Sequence, residues 1–245
     1  SLEVHHKLLD IVANGCNLSI NEMEALIAMY DAEIAYTDEL VGKLVDVIEA
    51  QLGETVIVVT ADHGELFGED NMLAHKYSMH NAVLNVPMVV AGISDLSDTG
   101  VIQHSDIVRT ILEIAGADTG TIQGVDLRTE TRKYAISQSG ESDVAPLLER
   151  NPNFDLSKFC SEEYSVIQNE DYKYVRNAKN SQLYYLPDED MNVIDESGKQ
   201  AEKMDIWLTE WLDTEGQAVE SGSEAHIDSA TRSRLANLGY LNHEM

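Results

Sequence analysis

Residues 55–65 read Thr-Val-Ile-Val-Val-Thr-Ala-Asp-His-Gly-Glu. The first seven, Thr55–Ala61, are short, β-branched and almost continuously apolar. That pattern predicts a strand buried on both faces of a parallel sheet. In open α/β sheets ligands bind outside the carboxyl ends of the strands, so Asp62 and His63 stand where a site is expected. A carboxylate beside an imidazole offers an oxygen and a nitrogen to one divalent cation. Gly64 permits the sharp turn that would aim them.

Upstream, residues 22–51 predict a long amphipathic helix. Ser19 and Glu22 have capping-box spacing, and Leu26, Tyr30, Ile34, Leu40, Leu44 and Ile48 recur at helical intervals before Gly53 ends the run. Downstream, Val86–Val90 reads as a second buried strand, and Ser105–Ala115 as a helix closed by Gly116. Helix, strand, loop, strand, helix is an α/β order. Beyond about Leu127 the texture changes. Short strands are predicted at Lys133–Gln138, Tyr164–Gln168, Tyr172–Arg176 and Gln182–Leu186, with a hairpin turn at Asn177–Ser181. A helix near Ala201–Leu212 should bury Ile206, Trp207, Trp211 and Leu212. An acidic linker over residues 213–225 and a last helix at Ser229–Leu238 follow. The expected organisation is an α/β domain over residues 1–127 and a small α+β subdomain over residues 128–245.

The motif order resembles that of the sulfatases of the alkaline-phosphatase superfamily. It comprises Tyr30-Asp31-Ala32-Glu33-Ile34 with Asp38, then Asp62-His63-Gly64-Glu65, Phe67-Gly68-Glu69, His75-Lys76-Tyr77-Ser78 and Asn85-Val86-Pro87. Further on come His104-Ser105-Asp106 through Gly116, and Gly124-Val125-Asp126-Leu127. Tyr172-Lys173-Tyr174-Val175, Leu183-Tyr184-Tyr185-Leu186 with Asp188–Asp190, and Leu238-Gly239-Tyr240-Leu241 complete the series. The resemblance implies the C-terminal portion of an alkaline-phosphatase-like mixed or parallel sheet domain, followed by a small antiparallel sheet plus helix. It implies metal-dependent hydrolysis of sulfate esters, with an anionic ester as substrate. The alternatives are a phosphate- or phosphonate-ester hydrolase or transferase, or a non-catalytic domain on the same fold. Asp62 and His63 match the pair that binds the catalytic cation, calcium first, with magnesium, manganese or zinc as alternatives. His75 or Lys76 matches the cationic residue that contacts the ester oxygens or protonates the leaving oxygen, a role either side chain can fill. His104 could approach a metal in two-metal relatives. His80 is expected to pack, Arg109 and Arg128 to form ion pairs, and His5 and His6 to lie at the surface.

The chain departs from that family at the nucleophile, a Cys or Ser two residues before a Pro and four before an Arg. Asn85, Val144, Arg150 and Tyr185 stand two before the 4 prolines, and neither Cys16 nor Cys160 is followed by that pattern. The two cysteines also lack metal-type spacing. We therefore expect a piece of a longer enzyme whose N-terminal half carries the nucleophile and the first metal ligands. A separately encoded half or a degenerate binding protein would also account for it.

The 245 residues carry 16 basic and 44 acidic side chains, a formal charge of −28. That balance excludes the Lys/Arg clusters nucleic acid needs and disfavours an anionic membrane surface. No apolar run approaches the ~20 residues of a membrane span, and no signal-peptide pattern opens the sequence. The compartment is left open, leaning to the cytoplasm. An acidic excess of this size suits concentrated salt, where the Debye length shrinks to about 3 Å and self-repulsion is screened. Circular dichroism from low to molar KCl is expected to show structure gained as salt rises. A cooperative thermal transition at low ionic strength that salt leaves unmoved would overturn the halophilic reading.

Overall fold

The computed structural model describes residues 4–97, 99–120, 122–156, 162–216 and 231. Cys160, the motif at Leu238–Leu241, the side chains of His5 and His6, and all but Thr231 of the expected last helix lie outside them. The chain forms two compact units, Ser1–Leu208 and Thr209–Met245. In the second, the described residues run to Gly216 and include Thr231.

Helix α1 (Val4–Asn14) precedes α2 (Ile20–Leu52). The capping box forms as its spacing predicts, with Ser19 Oγ accepting from Glu22 N–H and the Glu22 carboxylate accepting from Ser19 N–H at 2.8 Å. Gly53, at φ 70°, ends the helix. No described residue of α2 is buried, and Tyr30, Ile34 and Leu44 of its apolar stripe are exposed.

Strand β1 (Ile57–Thr60) corrects the reading of Thr55–Ala61 as a parallel strand covered on both faces. It pairs antiparallel with β4 (Met88–Ala91), in register Ile57↔Ala91 to Thr60↔Met88. Val59 and Val89 are exposed at 36% and 64%. A continuous apolar run specifies a strand that tolerates burial on either side. It does not specify the direction of the partner.

Between β1 and β4 lie a small hairpin, β2 (Leu66–Phe67) with β3 (Leu73–Ala74), and a one-turn helix, α3 (Asn81–Leu84). Leu66, Met72 and Val83 from this stretch pack with Val12 and Ala13 of α1 and Leu147 of α5 (Ala145–Arg150). All six are buried, which fixes the loop after Asp62 to a hydrophobic cluster rather than leaving it on solvent. At about 25 cal/mol per Å² of apolar surface removed from water, such burial is the main term holding the loop.

Helix α4 (His104–Ile114) begins beside the end of β1. Its third residue, Asp106, has no solvent exposure. The carboxylate accepts from Gln103 N–H at 2.8 Å, from Val125 N–H at 2.9 Å, and from Arg132 Nε and a terminal guanidinium nitrogen. Thr110, one turn on and also fully buried, donates to Asp106 O and accepts from Leu127 N–H. Gly124 lies so close to α4 that a Cβ there would meet Ser105 O at 2.4 Å. Arg109 and Arg128 form the expected ion pairs, with Glu113 and Asp126.

A four-stranded antiparallel sheet follows, in order β5 (Ala135–Ser139), β6 (Tyr164–Gln168), β7 (Tyr172–Arg176) and β8 (Ser181–Tyr185). The Gln103 amide bonds both backbone groups of Ile136, at 2.7 and 3.1 Å, and so ties α4 to β5. Helix α6 (Gly198–Thr214) buries Ala201, Met204 and Leu208. This corrects the expected face. Ile206 is 51% exposed, and Trp207, Trp211 and Leu212 are half-buried, with Trp207 stacked on Tyr134. Small and flexible side chains take the covered face.

Replacing Asp106 by Asn keeps the shape but leaves the Arg132 guanidinium without its counter-charge. Breaking a buried pair from one side typically costs about 3–5 kcal/mol. The urea midpoint of Asp106→Asn is expected to fall accordingly, and an unchanged midpoint would show that the charge is dispensable.

Candidate active site

The site assembles at the carboxyl end of β1. Asp62 is exposed, and its carboxylate accepts from His63 N–H at 3.0 Å, a local contact that fixes the start of the turn. The Asp62 carboxylate also lies 3.7 Å from His63 Nε2. His63 Nδ1 is 2.9 Å from Gly64 O, which calls for the proton on Nδ1 and leaves Nε2 with its lone pair. Gly64 is required by space. Its N–H donates to Val83 O at 2.8 Å, and a Cβ would meet Ala82 O at 2.0 Å.

From the β3 side comes His75. Its ring stacks on His63 with centroids 4.0 Å apart and planes at 30°, and its Nδ1 lies 3.1 Å from Glu65 Oε2. His63, Glu65 and His75 each present one donor atom within 4.8 Å of the others, all half-buried. Glu65 is the residue that motif reading passed over. Its signal was a carboxylate two residues after a candidate ligand, on a turn that folds back. Lys76 is exposed. The two residues flanking His75-Lys76, Ala74 and Tyr77, both have positive φ, 72° and 67°. Non-glycine residues rarely adopt that conformation, and it persists where surrounding contacts over-determine it, often at functional sites.

Two further described histidines, His104 and His80, have structural employment. His104 Nε2 lies 3.0 Å from Ala61 O. That contact needs an N–H there, so this nitrogen is not a metal ligand. It joins the start of α4 to the residue before Asp62. His80 caps α3, its Nδ1 accepting from Ala82 N–H. Beyond Glu65 a cleft of ≈410 Å³ runs between α2 and the β2–β3 hairpin, lined by Leu26, Met29, Tyr30, Leu66 and Phe67 among others. Tyr30 and Phe67 meet edge to face, 5.0 Å between centroids.

The donor set suits a divalent cation. Two imidazoles and a carboxylate are ligands that zinc-like ions accept readily, whereas calcium takes oxygens. With Asp62 at the rim, both kinds of donor are at hand.

Residues 12–117 match the Sulfatase family model. That match supports the resemblance to the sulfatases read from the motifs. It is 29% identical over 218 residues to Arylsulfatase K of Xenopus laevis, a match covering 81% of this chain and 40% of that protein. A putative sulfatase from Bacteroides thetaiotaomicron superposes with a TM-score of 0.66 at 17% identity, over 93% of this chain and 50% of that one. A phosphonate monoester hydrolase from Silicibacter pomeroyi gives 0.57 at 19%, over 77% and 41%. These two likenesses concern the fold. The chain spans half or less of the length of each of these relatives.

Tyr184 of β8 reports on the packing behind the site. Burial, then the charges of Asp70 and Glu189, push its phenol up to about 12 from the ordinary 10. Between those values the unfolded chain has lost a proton that the folded chain keeps, so stability falls as pH climbs through that window. Absorbance titration of ionised tyrosine should show one group titrating about two units late. Its absence from the folded protein would contradict the packing.

Proposed function

We propose that this chain supplies the cation-binding and ester-contacting part of a sulfate-ester hydrolase. The observation that carries the reading is the His63–Glu65–His75 cluster at the carboxyl end of β1, with Asp62 at its rim. His63 and Asp62 present adjacent donors from one side, and Glu65 contributes a second carboxylate. Glu65 also holds His75 through Nδ1, which leaves His75 Nε2 to ligate the cation or to donate to an ester oxygen. Lys76, next in sequence, supplies positive charge for a sulfate. A bound divalent cation would polarise the ester and offset its charge. Resemblance favours calcium, whereas the paired imidazoles favour zinc or manganese. The acidic surface fits a salt-rich setting, and the cleft beyond Glu65 fits an apolar leaving group such as an aryl ring.

Isothermal titration of the purified chain with Zn²⁺, Mn²⁺ and Ca²⁺ is expected to give one site per chain. Asp62→Asn and His63→Ala should each lower affinity at least about tenfold while circular dichroism stays unchanged. His75→Ala separates its two roles, since affinity drops only if His75 is a ligand. With no nucleophile motif in the sequence, the same chain should not hydrolyse an aryl sulfate. Binding unaffected by Asp62→Asn and His63→Ala would refute the site, and metal-dependent turnover by the chain alone would refute the division of labour.

A further inference from the structure

Among the described residues Lys173 is the largest side chain withdrawn from solvent, at 1% exposure, and no role in the cation cluster accounts for it. It projects from β7 and ion-pairs with Glu189, itself 4% exposed, while its ammonium also donates to Met79 O. Glu189 accepts from Asn81 N–H at 2.8 Å, and the same oxygen lies 3.8 Å from His80 Nε2. Around them the backbone groups of residues 79–83 are met one after another. His80 N–H donates to Ser78 Oγ, Ala82 N–H to His80 Nδ1, and Gly64 N–H to Val83 O.

A buried ion pair gains little stability over a well-packed apolar pair. What it supplies here is direction, one hydrogen bond to a carbonyl and one to an amide two residues later. Those two groups lie between the His75-Lys76 turn, with positive φ at Ala74 and Tyr77, and the contact that seats the Gly64 turn. We infer that Lys173 and Glu189 are positioning residues, a clamp from the C-terminal sheet that sets the His75 turn against the turn carrying His63 and Glu65. The inference rests on the proposed cation site for its consequence and on the hydrogen bonds for its geometry.

The test removes both charges together. Lys173→Met/Glu189→Leu keeps volume and leaves no orphaned charge, so the fold should survive. Asn81→Pro is the second variant. Asn81 is the first residue of α3, where Pro is tolerated, and His80 before it is already extended, at ψ 148°. On the backbone this change deletes only the N–H bonded to Glu189. The Asn81 side-chain oxygen has no partner among the described residues, so its loss costs little. In both variants amide exchange over residues 78–83 should accelerate at least about tenfold, and Zn²⁺ affinity should fall by a similar factor, the usual effect of losing groups that orient ligands. The circular dichroism spectrum should match wild type. Folded variants with wild-type exchange and affinity would overturn the clamp. Faster exchange with unchanged zinc affinity would overturn its link to the cluster. If the wild-type chain itself binds no zinc, manganese or calcium, the cation reading fails, and the exchange measurement still decides the clamp.

Discussion

A carboxylate with no access to water must be matched on every side, and Asp106 is the point on which the architecture turns. An isolated buried charge would cost far more than a domain's net stability, so Gln103, Val125 and Arg132 have to converge on it. Convergence fixes the start of α4, the Gly124–Leu127 segment and the irregular stretch leading into β5. Gln103 extends the node to Ile136, and His104 extends it to Ala61. The residue before Asp62 is therefore held by the same cluster of bonds that ties α4 to β5. Lys173 and Glu189 bond the backbone of residues 79 and 81. The candidate site takes no residue from either of these two desolvated ion pairs.

Much of this is written locally. The capping box at Ser19 and Glu22 requires only neighbours, and it forms. Strands β6 and β7 match their predicted bounds because aromatic and β-branched runs between polar turns leave little choice. The readings that changed depended on partners distant in sequence. Residues 55–61 specify a strand, yet pairing with residues 88–91 determines that it runs antiparallel. The stripe on α2 follows the helical period, but period alone does not state what covers it. In α6 the large residues suggested the buried face, and close packing selected Ala201, Met204 and Leu208 instead.

The site divides the same way. Asp62 and His63 stood out in the sequence as a carboxylate beside an imidazole after an apolar strand, and His75 through the family resemblance. Glu65 was overlooked because its role depends on how the Gly64 turn and the β2–β3 hairpin return the chain to His75. Lys173 carried a faint signal, a cation amid Tyr-Tyr-Val in a strand whose neighbours are buried. Such a residue must find a counter-charge, but nothing in the spacing names Glu189, which lies 16 residues on in sequence.

On the proposed function, a chain of charge −28 that takes an anionic ester would face a conflict between far field and near contact. At low ionic strength the summed field repels an approaching anion over several tens of ångströms. In molar salt the screening length of about 3 Å is comparable to a hydrogen bond. Long-range repulsion then disappears, while contacts made inside a half-buried site persist. The positive charge the ester needs can be local, from a bound cation beside His63 and Glu65 with Lys76 at the edge. The acidic surface and the histidine-rich site are thus compatible under the conditions the composition favours. Those conditions also make the internal ion pairs matter more than the surface ones. Asp106–Arg132 and Lys173–Glu189 are shielded from salt by burial, so the bonds that hold the site keep their strength where surface pairs lose theirs.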